Sequence, residues 1–180
     1  MKKYPLLLLL FTTCLFAQKQ GQKFCDGYDD SSYFTLLEKK KILWENTYYF
    51  ETYEGEITLN GKKYLKYKQK WQHGLIEYLY LRDSDGKVLQ YEDCCEAETV
   101  RYDEFFEPGQ TWQNINKEVT YTLISYNDTL TTPYCTYTGL MSIKADYKTI
   151  VYTYYYQKGN GYIGASIDGK IMSCITPEWK

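Results

Sequence analysis

From Ile42 onward the chain alternates hydrophobic and polar residues with a period of two, which predicts β-strands. In the segment KKYLKYKQKW, for example, Leu65, Tyr67 and Trp71 fall on one face of the strand. Three further rows show the same spacing: Ile76, Tyr78 and Tyr80; Tyr137, Met141 and Ile143; and Ile150, Tyr152, Tyr154 and Tyr156. The pattern contains no helical crossover units, so a parallel sheet is not expected.

Turn signals separate these strands at short intervals. They are Asn60-Gly61, His73-Gly74, Asp85-Gly86 and Asp168-Gly169. Asn-Gly and Asp-Gly tolerate positive φ at both central residues, which the tight turns of β-hairpins require. The sequence therefore predicts an all-β fold, an antiparallel meander that forms a curved sheet, an open barrel or a sandwich. At most one short N-terminal helix is expected, over Ser32 to Lys41, with Ser32 as its cap.

The first 17 residues have the pattern of a cleavable secretion signal. Lys2 and Lys3 precede an apolar run from Leu6 to Phe16, and Ala17 supplies a small residue before Gln18. The alternative is a lipoprotein signal with Cys14 as the lipidated residue. We therefore expect a signal peptide over 1–17, an N-terminal arm over 18–41 and one β domain over 42–180. The predicted location is the periplasm, the cell surface or the medium, with no transmembrane segment after cleavage.

Charge and aromatic content narrow the classes of partner. The 180-residue chain has a formal net charge of −2, and loss of Lys2 and Lys3 makes it −4. This mild acidity argues against nucleic acid and against an anionic lipid surface. The chain holds 22 tyrosines, whose rings suit half-buried sheet faces and a core. The alternative is a binding cleft, for which Tyr152, Tyr154 and Tyr156 are the candidate ligand-binding residues.

Five cysteines follow the predicted cleavage point: Cys25, Cys94, Cys95, Cys135 and Cys174. An oxidising compartment favours disulfides, and the odd number leaves at least one thiol free or paired between molecules. Adjacent cysteines rarely bond because the local geometry is strained. The preferred pairing is Cys25 with Cys94 or Cys95, and Cys135 with Cys174. A zinc site is not expected, since the chain has one histidine and no spaced cysteine pairs.

No catalytic residue, metal ligand or cofactor site is predicted. His73, the only histidine, lies at an expected hairpin tip without a nucleophile motif beside it. Acidic residues cluster around Cys94 and Cys95, namely Glu92, Asp93, Glu96, Glu98, Asp103 and Glu104. Two such carboxylates could cleave a glycosidic bond if they converged in a pocket, so a hydrolase that uses residues 92–104 is the alternative function.

Several phrases over about residues 42–176 resemble a recurrent series in small, uncharacterised exported β-sheet proteins of Bacteroidetes-type bacteria. They are EITLNGKKYLKY, YLYLRDSDGKVLQY, ETVRYDEFFEPGQTW, LTTPYCTYTGLMSIKA and YTYYYQKGNGYIGASIDGK. The chain departs from that series at Tyr134-Cys135, where a small residue is usual. Asp128-Thr129-Leu130 likewise resembles the O-glycosylation acceptor of such bacteria, which makes Thr129 a candidate modification site. The resemblance implies an exported β domain and carries no activity.

The sequence thus favours a non-enzymatic binding or structural module outside the cytoplasm. The candidate partners are another envelope protein, a glycan or an apolar small molecule. A β scaffold rich in amphipathic aromatic residues, without a catalytic constellation, is the basis for this expectation.

Overall fold

The protein is described by a computed structural model that covers residues 25–27, 32–34 and 38–176. Within these residues the chain forms twelve strands, whose bounds are β1 Lys39–Trp44, β2 Thr47–Leu59, β3 Lys62–Trp71, β4 Ile76–Ser84, β5 Lys87–Glu92, β6 Ala97–Asp103, β7 Thr111–Gln113, β8 Thr120–Thr131, β9 Thr136–Asp146, β10 Val151–Gln157, β11 Gly161–Ile167 and β12 Lys170–Thr176. The all-β prediction is confirmed. No helix within the described residues is long and apolar enough to cross a membrane.

All twelve strands belong to one antiparallel sheet. Its order is β6-β5-β4-β3-β2-β1-β12-β11-β10-β9-β8-β7, so the first and last strands pair in the middle. The two edges, β6 and β7, are neighbours in sequence and come together as the sheet curves. The result is a nearly closed, barrel-shaped sheet. Of the shapes that the alternation allows, the chain adopts the open barrel.

The seam between the two edge strands is bridged by side chains. The Trp112 indole Nε1 on β7 donates a hydrogen bond to the carbonyl oxygen of Val100 on β6, at 2.8 Å. Next to it, the backbone N–H of Ile115 donates to Thr99 Oγ1 at 3.2 Å. These bonds use backbone groups that an edge strand would otherwise leave exposed for pairing with another chain.

Three of the predicted turns have the backbone conformation that their sequences favour. Asn60-Gly61, Asp85-Gly86 and Asp168-Gly169 each join two strands, and the first residue of each pair has φ between 46° and 54°. Both residues of each pair are left-handed, as two-residue hairpins require. The fourth signal, His73-Gly74, lies within a longer connection between β3 and β4, where Gly74 has φ of 95°.

The interior holds two neighbouring hydrophobic clusters. One contains Tyr67, Leu79, Leu81 and Tyr102 among its members, and the other contains Ile42, Tyr137, Leu140 and Ile163. The prediction that Leu65, Tyr67 and Trp71 face the same side is confirmed, since all three pack against these clusters. Many of the tyrosines therefore build the core and sheet faces, in keeping with an aromatic-rich pleated wall.

The helix that the sequence allows over Ser32 to Lys41 does not form in the described part of that segment. The sequence allows a helix up to Lys41, but β1 begins at Lys39, because this segment pairs with β2 on one side and Lys41 pairs with Thr176 of β12. Ser32 to Phe34 are not helical either, and residues 35–37 lie outside the described residues. Tertiary pairing here overrides the local helix signal.

The preferred disulfide pairing is also wrong. Cys25 is paired with Cys135, at a Cα–Cα distance of 5.7 Å, and Cys94 is paired with its neighbour Cys95. Cys174 is a buried free thiol, and burial raises its pKa. The partner of Cys25 depends on where the N-terminal segment meets the barrel, and spacing along the chain does not contain that information.

Trp112→Phe removes the indole N–H, so the Val100 carbonyl loses its hydrogen bond across the seam. We expect a loss of about 1 kcal/mol in the free energy of unfolding, measured by urea denaturation. Trp71→Phe is the matched control, because the Trp71 indole donates to Glu77 at an exposed position where water can replace it. Equal losses in the two variants would contradict this role for the seam.

Stability at low pH should depend on Glu98, which accepts hydrogen bonds from Arg82, Lys62 and Tyr64. Arg82 above all, with Lys62 and Tyr64, lowers the pKa of this carboxyl to about 2. Since the folded pKa lies below the unfolded one, the stabilisation is present above about pH 4.5 and is lost as the pH falls through about 2.

We therefore expect Glu98→Gln to cost about 2 kcal/mol at pH 7, a figure reduced for the partly exposed partners, and much less near pH 2. Thermal unfolding across this pH range measures the difference, and Glu107→Gln, at an exposed position, is the control. A cost for Glu98→Gln that does not change with pH would contradict this assignment.

Candidate functional site

A cavity of about 150 Å³, partly open to solvent, lies on the inner side of the sheet. Its wall has a charged part, an aromatic part and an apolar part. The charged part consists of Lys40, Glu51 and Arg101. The aromatic part includes Tyr49, Tyr102, Tyr154, Tyr156 and Tyr162, and the apolar part includes Leu79, Leu81 and Val88. The three charged side chains are the unusual feature, because ionised groups are rarely placed in a protein interior without partners.

Lys40 and Glu51 form a buried ion pair across two neighbouring strands. They are direct partners in the β1–β2 ladder, with 3.6 Å between Lys40 Nζ and Glu51 Oε1. Lys40 is 3% exposed and Glu51 is 8% exposed. Burial lowers the pKa of Lys40, and the charge of Glu51 opposes that shift. Gln69 Nε2 donates a further hydrogen bond to Glu51 Oε2 at 2.8 Å.

Arg101 reaches the cavity because of a β-bulge. Val88 pairs with Tyr102 and Leu89 with Val100, so Arg101 is the extra residue on β6. A bulge turns the extra side chain away from the regular alternation. The Arg101 side chain is half-buried, and the surrounding protein strongly desolvates its guanidinium. Arg101 lines the cavity, so part of its exposed surface faces that space.

The protein uses only part of the hydrogen-bonding capacity of Arg101. Its Nη1 donates to Gln90 Oε1 at 2.6 Å, and its Nε donates to the Tyr156 hydroxyl at 3.4 Å. A guanidinium has five N–H donors and stays protonated in proteins. The described residues offer no carboxylate in an ion pair with it, so N–H groups remain for a molecule in the cavity.

The charges on the wall do not balance. Lys40 and Arg101 contribute two positive charges and Glu51 one negative charge, so the wall has a net charge of about +1. A buried charge without a counterion is costly. The wall would therefore be stabilised by an anion in the cavity.

The three tyrosines predicted as ligand-binding candidates are on the inner side of β10, and the structure brings two of them to the cavity. Tyr154 and Tyr156 line it. Tyr152 stacks on Tyr154, with 5.8 Å between ring centroids, and also contacts Trp44. The Tyr154 hydroxyl is 3.0 Å from that of Tyr147. Their part in ligand binding stays a prediction.

An N-terminal segment lies against the cavity. Phe34 lines it, and Tyr33 is buried in the adjacent core cluster. The segment is fixed by hydrogen bonds from the Gly159 N–H to the Ser32 carbonyl at 2.8 Å and from the Tyr33 N–H to Glu104 Oε1 at 2.7 Å. The disulfide between Cys25 and Cys135 ties the same segment to the start of β9.

None of the six acidic residues of 92–104 lines the cavity. Glu98 is paired with Arg82 and Lys62, Asp103 is paired with Lys87, and Glu104 binds the Tyr33 N–H. Asp93 and Glu96 are exposed near the turn between β5 and β6. The hydrolase alternative thus gains no supporting geometry from these carboxylates.

Two other candidates are at the surface. His73 is exposed in the connection between β3 and β4, where its ring lies 6.1 Å from that of Trp71. Thr129 is exposed on β8, within a stretch of irregular pairing, so its hydroxyl is open to modification. The modification itself stays a prediction.

Sequence reasoning missed the three charged residues of the cavity. A signal existed for two of them. Lys40 has the same parity as Ile42 and Trp44 on β1, and Glu51 has the same parity as Tyr49 on β2, so each is a charge at an inward position. Arg101 carried no such signal, because its direction depends on a bulge that forms only when β5 and β6 pair.

Comparison with known protein families, with characterised proteins and with solved structures finds no match to this chain. The cavity and its chemistry therefore carry the functional argument alone.

We expect Glu51→Gln to lower the free energy of unfolding by about 3 kcal/mol, because it leaves the Lys40 ammonium without its buried counterion. Chemical denaturation at pH 7 measures this change. Glu56→Gln on the same strand is the control, since its side chain is 56% exposed and should change stability by less than about 0.5 kcal/mol. A loss for Glu51→Gln no larger than the control would show that the cavity is well solvated.

Proposed function

We propose that this protein is a non-enzymatic binding module that holds a small organic anion inside its barrel. The observation that supports this proposal most strongly is the unbalanced positive charge of Lys40 and Arg101 on the cavity wall. A carboxylate in the cavity would supply the missing counterion and would accept hydrogen bonds from the guanidinium.

The shape and composition of the cavity limit the ligand. A volume of about 150 Å³ suits a molecule about the size of benzene. Leu79, Leu81 and Val88 give the wall an apolar part, while tyrosine rings offer planar surfaces. The ligand class is therefore a small carboxylic acid with a compact apolar or aromatic part. This narrows the expected apolar small molecule to one that also carries a negative charge.

We also propose that the protein works outside the cytoplasm, in the cell envelope or the medium. The signal-like start and the paired cysteines support this setting. The disulfide would keep the segment with Phe34 in place over the cavity in an oxidising compartment.

The proposal is tested with benzoate as the probe and benzamide as its neutral counterpart. We expect benzoate to bind at pH 7 and benzamide to bind at least about tenfold more weakly, because only benzoate completes the charge pairing. Titration calorimetry measures both, and Trp44, which lines the cavity, provides a fluorescence signal.

Single substitutions test whether benzoate binds at the charged part of the cavity wall. Arg101→Met and Lys40→Met should each weaken benzoate binding about tenfold or more, whereas Lys170→Met, at an exposed position on β12, should leave it unchanged. Circular dichroism confirms that each variant is folded. Equal affinity for benzoate and benzamide, or equal loss in the Lys170 variant, would overturn the proposal, as would absence of binding to every small carboxylate in a panel.

A further inference from the structure

The turn between β5 and β6 carries two adjacent cysteines that are bonded to each other. Cys94 and Cys95 form this disulfide, and both residues are exposed. The other disulfide lies in a different environment, because Cys135 is 7% exposed and Cys25 packs against the same core cluster. The two bonds therefore differ in how easily a reductant in solution can reach them.

Adjacency in the sequence also sets the geometry of the Cys94–Cys95 bond. The two Cα atoms are 3.8 Å apart, the separation that a trans peptide imposes on neighbouring residues. Most protein disulfides join Cα atoms about 4.4–6.8 Å apart, and a bond forced outside this range is easier to reduce. The Cα atoms of Cys25 and Cys135 are 5.7 Å apart, within the usual range.

The Cys94–Cys95 bond can contribute little to the stability of the fold. A disulfide stabilises mainly by closing a loop in the unfolded chain, and this effect grows with the length of the loop. Two adjacent residues enclose the shortest loop possible, whereas Cys25 and Cys135 are 110 positions apart. The Cys25–Cys135 bond is thus suited to a structural role, and the exposed bond is not.

Other contacts hold the β5–β6 turn without the sulfur–sulfur bond. The Cys95 N–H donates a hydrogen bond to the Glu92 carbonyl oxygen at 3.2 Å, and Asn60 Nδ2 donates to the Glu96 carbonyl oxygen at 3.1 Å. Glu92 also pairs with Ala97 in the β5–β6 ladder. The hairpin can therefore keep its shape when the disulfide is opened, as a reversible reaction requires.

We infer that Cys94 and Cys95 form a redox-active site, separate from the barrel cavity, that exchanges two electrons with a dithiol. Exposed disulfides with unfavourable geometry are the ones that thiols reduce most readily. A dithiol is the matching class of partner because one molecule of it supplies both electrons that the bond takes up.

The exchange proceeds in two displacements. A thiolate of the dithiol attacks Sγ of one cysteine, the sulfur–sulfur bond breaks, and the other Sγ leaves with the electron pair and takes up a proton. The second thiol of the reagent then loses its proton and attacks the mixed disulfide, which releases the first cysteine as a second thiol. The protein gains two electrons and two protons, and the dithiol becomes a disulfide. The reverse reaction closes the Cys94–Cys95 bond again.

The test equilibrates the oxidised full chain with mixtures of reduced and oxidised dithiothreitol. Free thiols are trapped by alkylation and located by peptide mass spectrometry. We expect Cys94 and Cys95 to be half reduced at a ratio of reduced to oxidised reagent at least about tenfold lower than Cys25 and Cys135 require. The chain with only the exposed pair reduced should keep its circular dichroism spectrum, and oxidised dithiothreitol should close the bond again.

Two variants that each remove one cysteine provide a matched comparison. Cys95→Ser leaves Cys94 without its partner and should abolish the two-electron change at the turn. Cys174→Ala should leave this change as it is in the unaltered chain. In the unaltered chain, the buried Cys174 thiol should stay unalkylated throughout the titration, which shows that the fold is intact.

The inference would be overturned if both disulfides opened at the same ratio of reagents, or if the Cys25–Cys135 bond opened first. It would equally be overturned by free thiols at Cys94 and Cys95 in protein purified without reductant. A reduced pair that does not close again in oxidised dithiothreitol, or alkylation of Cys174 together with Cys94 and Cys95, would also contradict a reversible site on a folded chain.

Discussion

Two cations and one carboxylate lie inside a sheet that closes around them, and this buried imbalance of charge is the constraint that shapes the interior. Lys40 and Glu51 are placed opposite each other by the β1–β2 ladder, and Arg101 is turned inward by a bulge. The curved sheet, whose edge strands β6 and β7 meet at Trp112, leaves Lys40 and Glu51 almost fully buried. The same closure creates the cavity in which an anion would be stabilised.

The positions of the tyrosine rings agree with this placement of charged groups inside the sheet. Rings on the inner face surround the charges with polarizable surface, and their hydroxyls offer hydrogen bonds in a space where water is limited. On the outer face, rings such as Tyr48 support lysine ammonium groups instead. The high tyrosine content thus supplies rings to both faces of the sheet, because alternate residues of each strand face opposite sides.

Most of the fold can be predicted from local patterns in the sequence. The alternation of residues 65, 67 and 71 and the left-handed turn at Asn60-Gly61 depend on neighbouring residues only, so the sequence predicts them well. Closure into an open barrel, the pairing of Cys25 with Cys135 and the direction of Arg101 depend on contacts between distant segments. Of the residues that line the cavity, the sequence analysis singles out Tyr154 and Tyr156 but not Lys40, Glu51 and Arg101.

Nitrogen NMR of the arginine side chains tests directly whether an anion binds beside Arg101 inside the barrel, as we propose. The chain has two arginines, Arg82 and Arg101, and Arg82 is paired with Glu98 on the other face of the sheet. On addition of benzoate, we expect a saturable shift of the Arg101 Nε resonance and an unchanged Arg82 resonance. An Arg101 resonance that does not move, or two resonances that move together, would contradict this proposal.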